Sequence, residues 1–210
     1  MIEKLEKIGL FIVWFAIIAQ FLLMFQNRQT DIPEMVIRFF SFFTILTNIL
    51  VALYFTSSVF RLKIIPFKWL LSKGTLTAIT AFILIVGLVY QVALRGIWQP
   101  TGLQHIVDEL LHTIIPLYVF IYWFFKVNKN DLELIPIFSW LLYPLIFIIS
   151  ILVRGHNSGY YPYPFLNVSE IGYEKTLSNI GVVFGITLAM LISLLSIGKM
   201  ITKKQKKPNN

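Results

Sequence analysis

A few polar side chains, set inside otherwise apolar stretches of this 210-residue chain, have the types and spacing that nucleophilic acid–base chemistry needs. His105, Asp108, Glu109 and His112 fall within an arc of roughly 100° on a helix. Ser41, Thr44 and Asn48 share a narrower arc on another stretch, with Thr47 beside it. A threonine hydroxyl is a weak nucleophile until an adjacent base takes its proton. Imidazole is the side chain best suited to that task near neutral pH. Thr44 and His112 lie at similar depths in their stretches, so the residue types for such a pair are present in one layer. Asp108, one turn before His112, could orient or charge-stabilise the imidazole, as the acid of a triad does. N–H groups inside a helix are already bonded, so an oxyanion donor is expected to be a side chain, and Asn48, one turn from Thr44, is the candidate. The chain has no cysteine, which excludes disulfides, thiolate metal ligands and a cysteine nucleophile.

Each residue also has a plainer reading. A threonine in a membrane helix most often bonds back to its own carbonyl one turn earlier. Asn48 could simply pin two helices together. Asp108 and Glu109 suit the first turn of a helix, where acids are favourable. His112 lies deeper, and on pattern alone it divides evenly between structure and chemistry. Thr47 competes with Thr44 as the nucleophile. His105, Glu109, His112 and His156 form a nominal zinc set, but His105 and His112 stand about 10.5 Å apart along a helix axis. No metal or other cofactor is expected.

The elements that must position these residues are six apolar stretches, at about 8–26, 36–60, 74–94, 106–125, 135–153 and 176–198. Each approaches the ~20 residues a helix needs to cross a hydrocarbon core. In lipid every backbone N–H must find an internal partner, so such runs are helices. The expected fold is an all-α, polytopic membrane protein with six transmembrane helices, folded as a single domain over residues 1–210. The first stretch follows Lys4 and Lys7, is too long for a signal-peptide core and is expected to remain as an anchor. Of the 18 basic residues, 13 fall on the side of the two termini, which the positive-inside rule makes cytoplasmic. The Lys203–Lys207 tail is then expected to lie against anionic lipid heads rather than nucleic acid.

This orientation puts the polar stripes toward the outer leaflet. If span two is one helix from Val36, Thr44 lies roughly 12 Å down, and His112 roughly 9 Å down span four. The longest outer connection, 154–175, contains Tyr160-Tyr161-Pro162-Tyr163-Pro164-Phe165, read either as an interfacial anchor or as a lid over an outward cavity. Pro116 removes the hydrogen bond to the His112 carbonyl and predicts a local bend. Gly181, Gly185, Ala189 and Ser193 form a small-residue stripe on span six that suits close helix packing. Neither matching broken segments nor an internal repeat is evident, which weighs against a transporter built on inverted repeats.

The segments Phe42-Phe43-Thr44-Ile45-Leu46-Thr47-Asn48, Leu111-His112-Thr113-Ile114-Ile115-Pro116 and Tyr161-Pro162-Tyr163-Pro164-Phe165-Leu166 occur in this order on a six-pass chain. Together they resemble the predicted six-pass integral membrane protein family, a bacterial group related to the eukaryotic androgen-induced membrane proteins. Those relatives are threonine hydrolases of fatty acid esters of hydroxy fatty acids, with a catalytic threonine and histidine. The resemblance places these roles on Thr44 and His112, and implies a lipid or acylated small-molecule substrate and a bacterial cytoplasmic membrane. The competing expectation is a non-enzymatic lipid-binding or transport protein, in which the span-four acids and histidines hold a head group or relay protons.

Overall fold

The computed structural model describes residues 1–204, with side chains through Lys203. Most of the expected lipid-facing lysine tail, including Lys206 and Lys207, therefore lies outside the described residues. Those described form helices and turns without a strand. Six helices are long and apolar enough to cross a membrane: Ile2–Gln26, Phe43–Phe60, Thr75–Leu94, Gly102–Lys126, Leu134–Ser158 and Val168–Lys203. The elements are α1 (Ile2–Gln26), α2 (Ile32–Phe39), α3 (Phe43–Phe60), α4 (Phe67–Leu70), α5 (Thr75–Val89), α6 (Gly102–Glu109), α7 (Ile115–Lys126), α8 (Leu134–Ser139), α9 (Leu142–Ser158) and α10 (Val168–Lys204). A π turn, Tyr90–Leu94, extends α5, and another, Leu110–Ile114, joins α6 to α7.

Burial orders the bundle. Two-thirds of the apolar window of the α5 span (67%) is enclosed, against 22% for the α10 span, so α5 is central and α10 lies at the rim. Phe55, Phe82, Tyr122 and Trp123 fill the interior. At Gly87 on α5, an added Cβ would stand 3.0 Å from the His112 carbonyl oxygen and 3.3 Å from Pro116. Glycine there lets α5 press against the backbone of the chemistry-bearing span.

Three expectations from the sequence change. Span two is not continuous from Val36: α2 ends at Phe39, Phe42 is extended (φ −90°, ψ 124°), and α3 begins at Phe43. Thr44 thus sits in the first turn of its helix, not eight residues along it. The last outer connection is also shorter than expected, because α9 runs on through Arg154 and His156 to Ser158 and ends at left-handed Gly159 (φ 70°). Polar residues are tolerated at a helix end, where apolar patterning stops before the helix does. Finally, among the described residues no helix covers the small-residue stripe. An added Cβ at Gly181 or Gly185 would meet nothing within 4 Å, and Ala189 and Ser193 are exposed. The close approach on α10 comes at Gly198, against Leu132 and Trp123.

Candidate functional site

Helix α3 starts where it does because two long-range contacts hold the break before it. The Tyr163 hydroxyl accepts the Phe43 N–H at 2.9 Å, and Arg154 donates to the Ser41 hydroxyl. Leu46 N–H is the first of α3 to bond back into the helix, to the Phe42 carbonyl. The N–H groups of Thr44 and Ile45 therefore precede the first intrahelical bond, at the positive end of the helix dipole.

The partner span is reshaped by Pro116. Ile115 N–H bonds to the Leu110 carbonyl, a register of five residues. In that register the N–H that proline lacks would have served Leu111, not His112 as an α-helix would have it. The Asn48 amide reaches the Leu111 carbonyl at 3.5 Å and the Thr44 carbonyl at 2.8 Å. Asn48 is thus a fully buried tie between the two spans. Both donor contacts of Asn48 go to carbonyls, which holds its amide between the two spans.

These two distortions bring Thr44, His112 and Asp108 together. Thr44 Oγ1 lies 3.3 Å from His112 Nε2. His112 Nδ1 lies 2.9 Å from the Asp108 carbonyl oxygen and 3.3 Å from Asp108 Oδ1. A carbonyl oxygen only accepts, so Nδ1 must carry the proton of the neutral ring. Nε2 is then the free lone pair, turned toward the threonine hydroxyl. The tautomer is set by the backbone and reinforced by the carboxylate. Tyr90 stacks on the imidazole with centroids 4.2 Å apart and planes inclined by 16°.

Asp108 is buried. The Tyr90 phenol and Trp98 indole face its carboxylate, yet neither meets Oδ2 in hydrogen-bond geometry, and that oxygen has no partner. The other candidates are placed elsewhere. Thr47 is fully buried, and its hydroxyl lies 3.0 Å from that of Tyr143. Glu109 pairs with Arg95 and accepts from Thr113 at 2.8 Å. His105 and His156 are exposed, and no group of three or more potential metal ligands occurs among the described residues.

Thr44, His112 and Asp108 open into a cavity of about 530 Å³ that Tyr90, Trp98, Arg28, Arg38, Gln20 and Gln104 help to line. The aromatic loop forms part of its wall through Tyr160, Pro162, Tyr163 and Pro164. That loop is tied down on both sides: Asn179 donates to the Phe165 carbonyl at 2.9 Å, and the Tyr160 ring stacks against Arg38 and Arg154. Both arginines bond Glu34 at 2.7 Å, and the Arg38 bond foremost holds that carboxyl below its ordinary value of 4.5. Burial pushes the Tyr163 phenol up to about 12, so it remains a protonated donor.

Two residues of this site escape sequence reasoning. Tyr90 is one aromatic among many in an apolar span, and nothing in its spacing marks it. Tyr163 carries a signal only through its loop, whose prolines exclude a long helix and whose aromatics invite a lid. Comparison with family models, with curated proteins and with solved structures yields no match.

Proposed function

We propose that this chain is an intramembrane ester hydrolase that uses Thr44 as nucleophile and His112 as base. The observation that carries this reading is the ring orientation: Nδ1 is anchored on a backbone carbonyl, leaving Nε2 free, 3.3 Å from a threonine hydroxyl at the wall of a large cavity. A merely structural histidine has no need of an unprotonated nitrogen aimed at a hydroxyl beside open space.

Thr44 Oγ1 attacks the ester carbonyl carbon while its proton passes to His112 Nε2. Asp108 steadies the imidazolium that results. The tetrahedral oxyanion is met by the Thr44 and Ile45 N–H groups at the start of α3 and by the Tyr163 hydroxyl. The carbon–oxygen bond to the alcohol then breaks, and the alcohol leaves with the proton held by His112. Water next attacks the acyl-threonine, giving its proton to His112, and the free acid departs as Thr44 recovers its hydrogen. The balance is one ester and one water to one acid and one alcohol.

The resemblance to the six-pass family supports a lipid or acylated substrate. The charge asymmetry supports a multi-pass protein of the cell membrane, of bacterial cytoplasmic type, with both termini inside and the cavity facing out. A transport path is disfavoured, because Tyr54, Phe55, Tyr122 and Trp123 are buried and pack the other half of the bundle.

The test is turnover of short- and long-chain esters by purified protein beside Thr44→Ala and Thr44→Ser. Wild-type turnover, abolished in a folded Thr44→Ala and partly kept in Thr44→Ser, is the expected result. Full activity in Thr44→Ala would remove the nucleophile. Inactivity of the wild type toward every ester would leave a lipid-binding protein.

A further inference from the structure

Thr44 borders a second void besides the large cavity. A cleft of about 70 Å³ opens on its other side, between α5, α9 and α10, and Thr44, Leu94 and Tyr163 belong to both linings. Its walls are Phe82, Val86, Phe147, Ile180 and Val183, with Phe43 beside the threonine. The one hydroxyl deeper within it, that of Thr187, is tied back to the Val183 carbonyl at 2.8 Å. The cleft thus offers no free polar group except at the end where Thr44 and Tyr163 stand. The larger cavity carries more polar groups, among them Arg28, Arg38, Gln20, Gln104 and Asn27, within a lining that is still mostly apolar.

We infer that the narrow cleft is the acyl-binding site, taking one unbranched hydrocarbon chain, and that the wide cavity receives the bulkier alcohol half of the ester. This rests on the hydrolase reading and goes further, because it assigns each half of the substrate to a compartment. Size argues for a single straight chain with only the few methylenes nearest the carbonyl enclosed: a void of about 150 Å³ holds a benzene ring, and the cleft has less than half of that. The rest of a longer chain leaves past the half-buried Ile180 and Val183. Continuity argues for the direction, because a chain lying between Val86 and Val183 brings its terminal carbonyl to the shared wall at Thr44. Polarity agrees, because a chain has no hydrogen bonds to satisfy and the cleft supplies none. Selectivity is therefore strict for the acyl half and loose for the alcohol.

Two variants narrow the mouth of the cleft and leave Thr44, His112 and Asp108 in place: Val183→Trp and Ile180→Trp, both at half-buried rim positions. Each is compared with the wild type for kcat/KM over a series of linear acyl esters from acetyl to palmitoyl, with one branched ester. The expected result is a fall of about tenfold or more in kcat/KM for the long linear esters relative to the acetyl ester of the same protein, and poor use of the branched ester by all three proteins. Unchanged length dependence in both folded variants overturns the assignment and leaves the hydrolase standing.

A readout without turnover separates the two ideas. Wild-type protein is photolabelled with a straight-chain fatty acid carrying a diazirine a few carbons from its carboxyl group, and the adducts are mapped by mass spectrometry. Adducts at Phe147, Ile180 or Val183 that an unbranched acid displaces and a branched one does not support the cleft, even if no ester is hydrolysed. Adducts confined to outward faces of the bundle, and unaltered in Val183→Trp, reject it.

Discussion

The bundle buries a polar cluster at each end, and the two are finished differently. At the end bearing the chain termini, Glu6 Oε1 accepts from Ser58 and Tyr122, both at 2.8 Å, and from Lys126 at 2.9 Å. Nearby, Trp123 donates to the Thr77 hydroxyl at 3.0 Å, Thr77 donates to the Asp131 carbonyl at 2.5 Å, and Asn128 and Asp131 close a capping box. Among the described residues, three buried side-chain atoms lack a partner: Asn48 Oδ1, Asp108 Oδ2 and Asn167 Oδ1. All three belong to the half that holds Thr44, His112 and the cavity. A buried polar network is ordinarily completed, because an orphaned group costs about 1–3 kcal/mol. One end of this molecule meets that rule as a structural clamp does, and at the other Asp108, on the wall of the cavity, keeps an acceptor oxygen uncommitted to the protein.

The sharpest way to break this comparison is to remove one group from each end. His112→Ala should lower ester turnover about 10³-fold or more, since general-base removal from a nucleophile costs this order, while the thermal midpoint in detergent moves little. Glu6→Ala should do the reverse. It strands the Lys126 ammonium and the Tyr122 hydroxyl, costing roughly 1–3 kcal/mol of stability given the half-exposed lysine. Activity per folded molecule should hold. Turnover and melting measured on both variants decide the matter, and a Glu6→Ala protein that is stable but inactive would erase the distinction.

Asp108→Asn sharpens the contrast inside the site. In a triad whose carboxylate alone fixes the histidine tautomer, that change is ruinous. Here the Asp108 backbone carbonyl already holds Nδ1–H at 2.9 Å, and the side-chain oxygen stands farther off at 3.3 Å. The backbone contact survives substitution, so the tautomer persists and only the stabilisation of the imidazolium is lost. The expected decrease in kcat is about 10–100-fold, with KM little changed. A loss as large as that of His112→Ala would mean that the carboxylate, not the carbonyl, sets the ring.

The site's residue types were legible in the sequence, and their geometry much less so. Thr44, Asp108 and His112 stand out because polar groups at helical spacing are conspicuous in apolar runs. The break that lifts Thr44 to a helix start is not visible. Phe40-Ser41-Phe42 contains no proline or glycine, and the interruption is held from afar by Tyr163 and Arg154. Pro116 announced a disturbance, but the π register moved the vacant carbonyl from His112 to Leu111 and drew Asn48 into a tie. The stripe from Gly181 to Ser193 was visible as a stripe; which way it faces depends on α10 lying at the rim, and composition is silent on that.

The smallest expected effect concerns the cover of the unfinished end. Glu34 joins α2 to α9 by accepting from Arg38 and Arg154, whose guanidinium groups both lie against the Tyr160 ring of the loop over the cavity. Its carboxyl titrates below 4.5 in the folded protein. A depressed pKa means that the folded state gains from the ionised form. That gain is fully present above 4.5 and is lost as pH falls through the lower folded value. The group is close to the surface, so screening keeps the contribution small. Amide exchange in residues 159–167 should therefore quicken modestly as pH falls below 4.5, after correction for intrinsic rates, and Glu34→Gln should show the quicker exchange already at neutral pH. The Glu6 end should not respond to Glu34→Gln. Equal protection of the loop in wild type and Glu34→Gln at every pH would mean that the aromatic packing of Tyr160 and Tyr163, not the ion pairs, holds the cover in place.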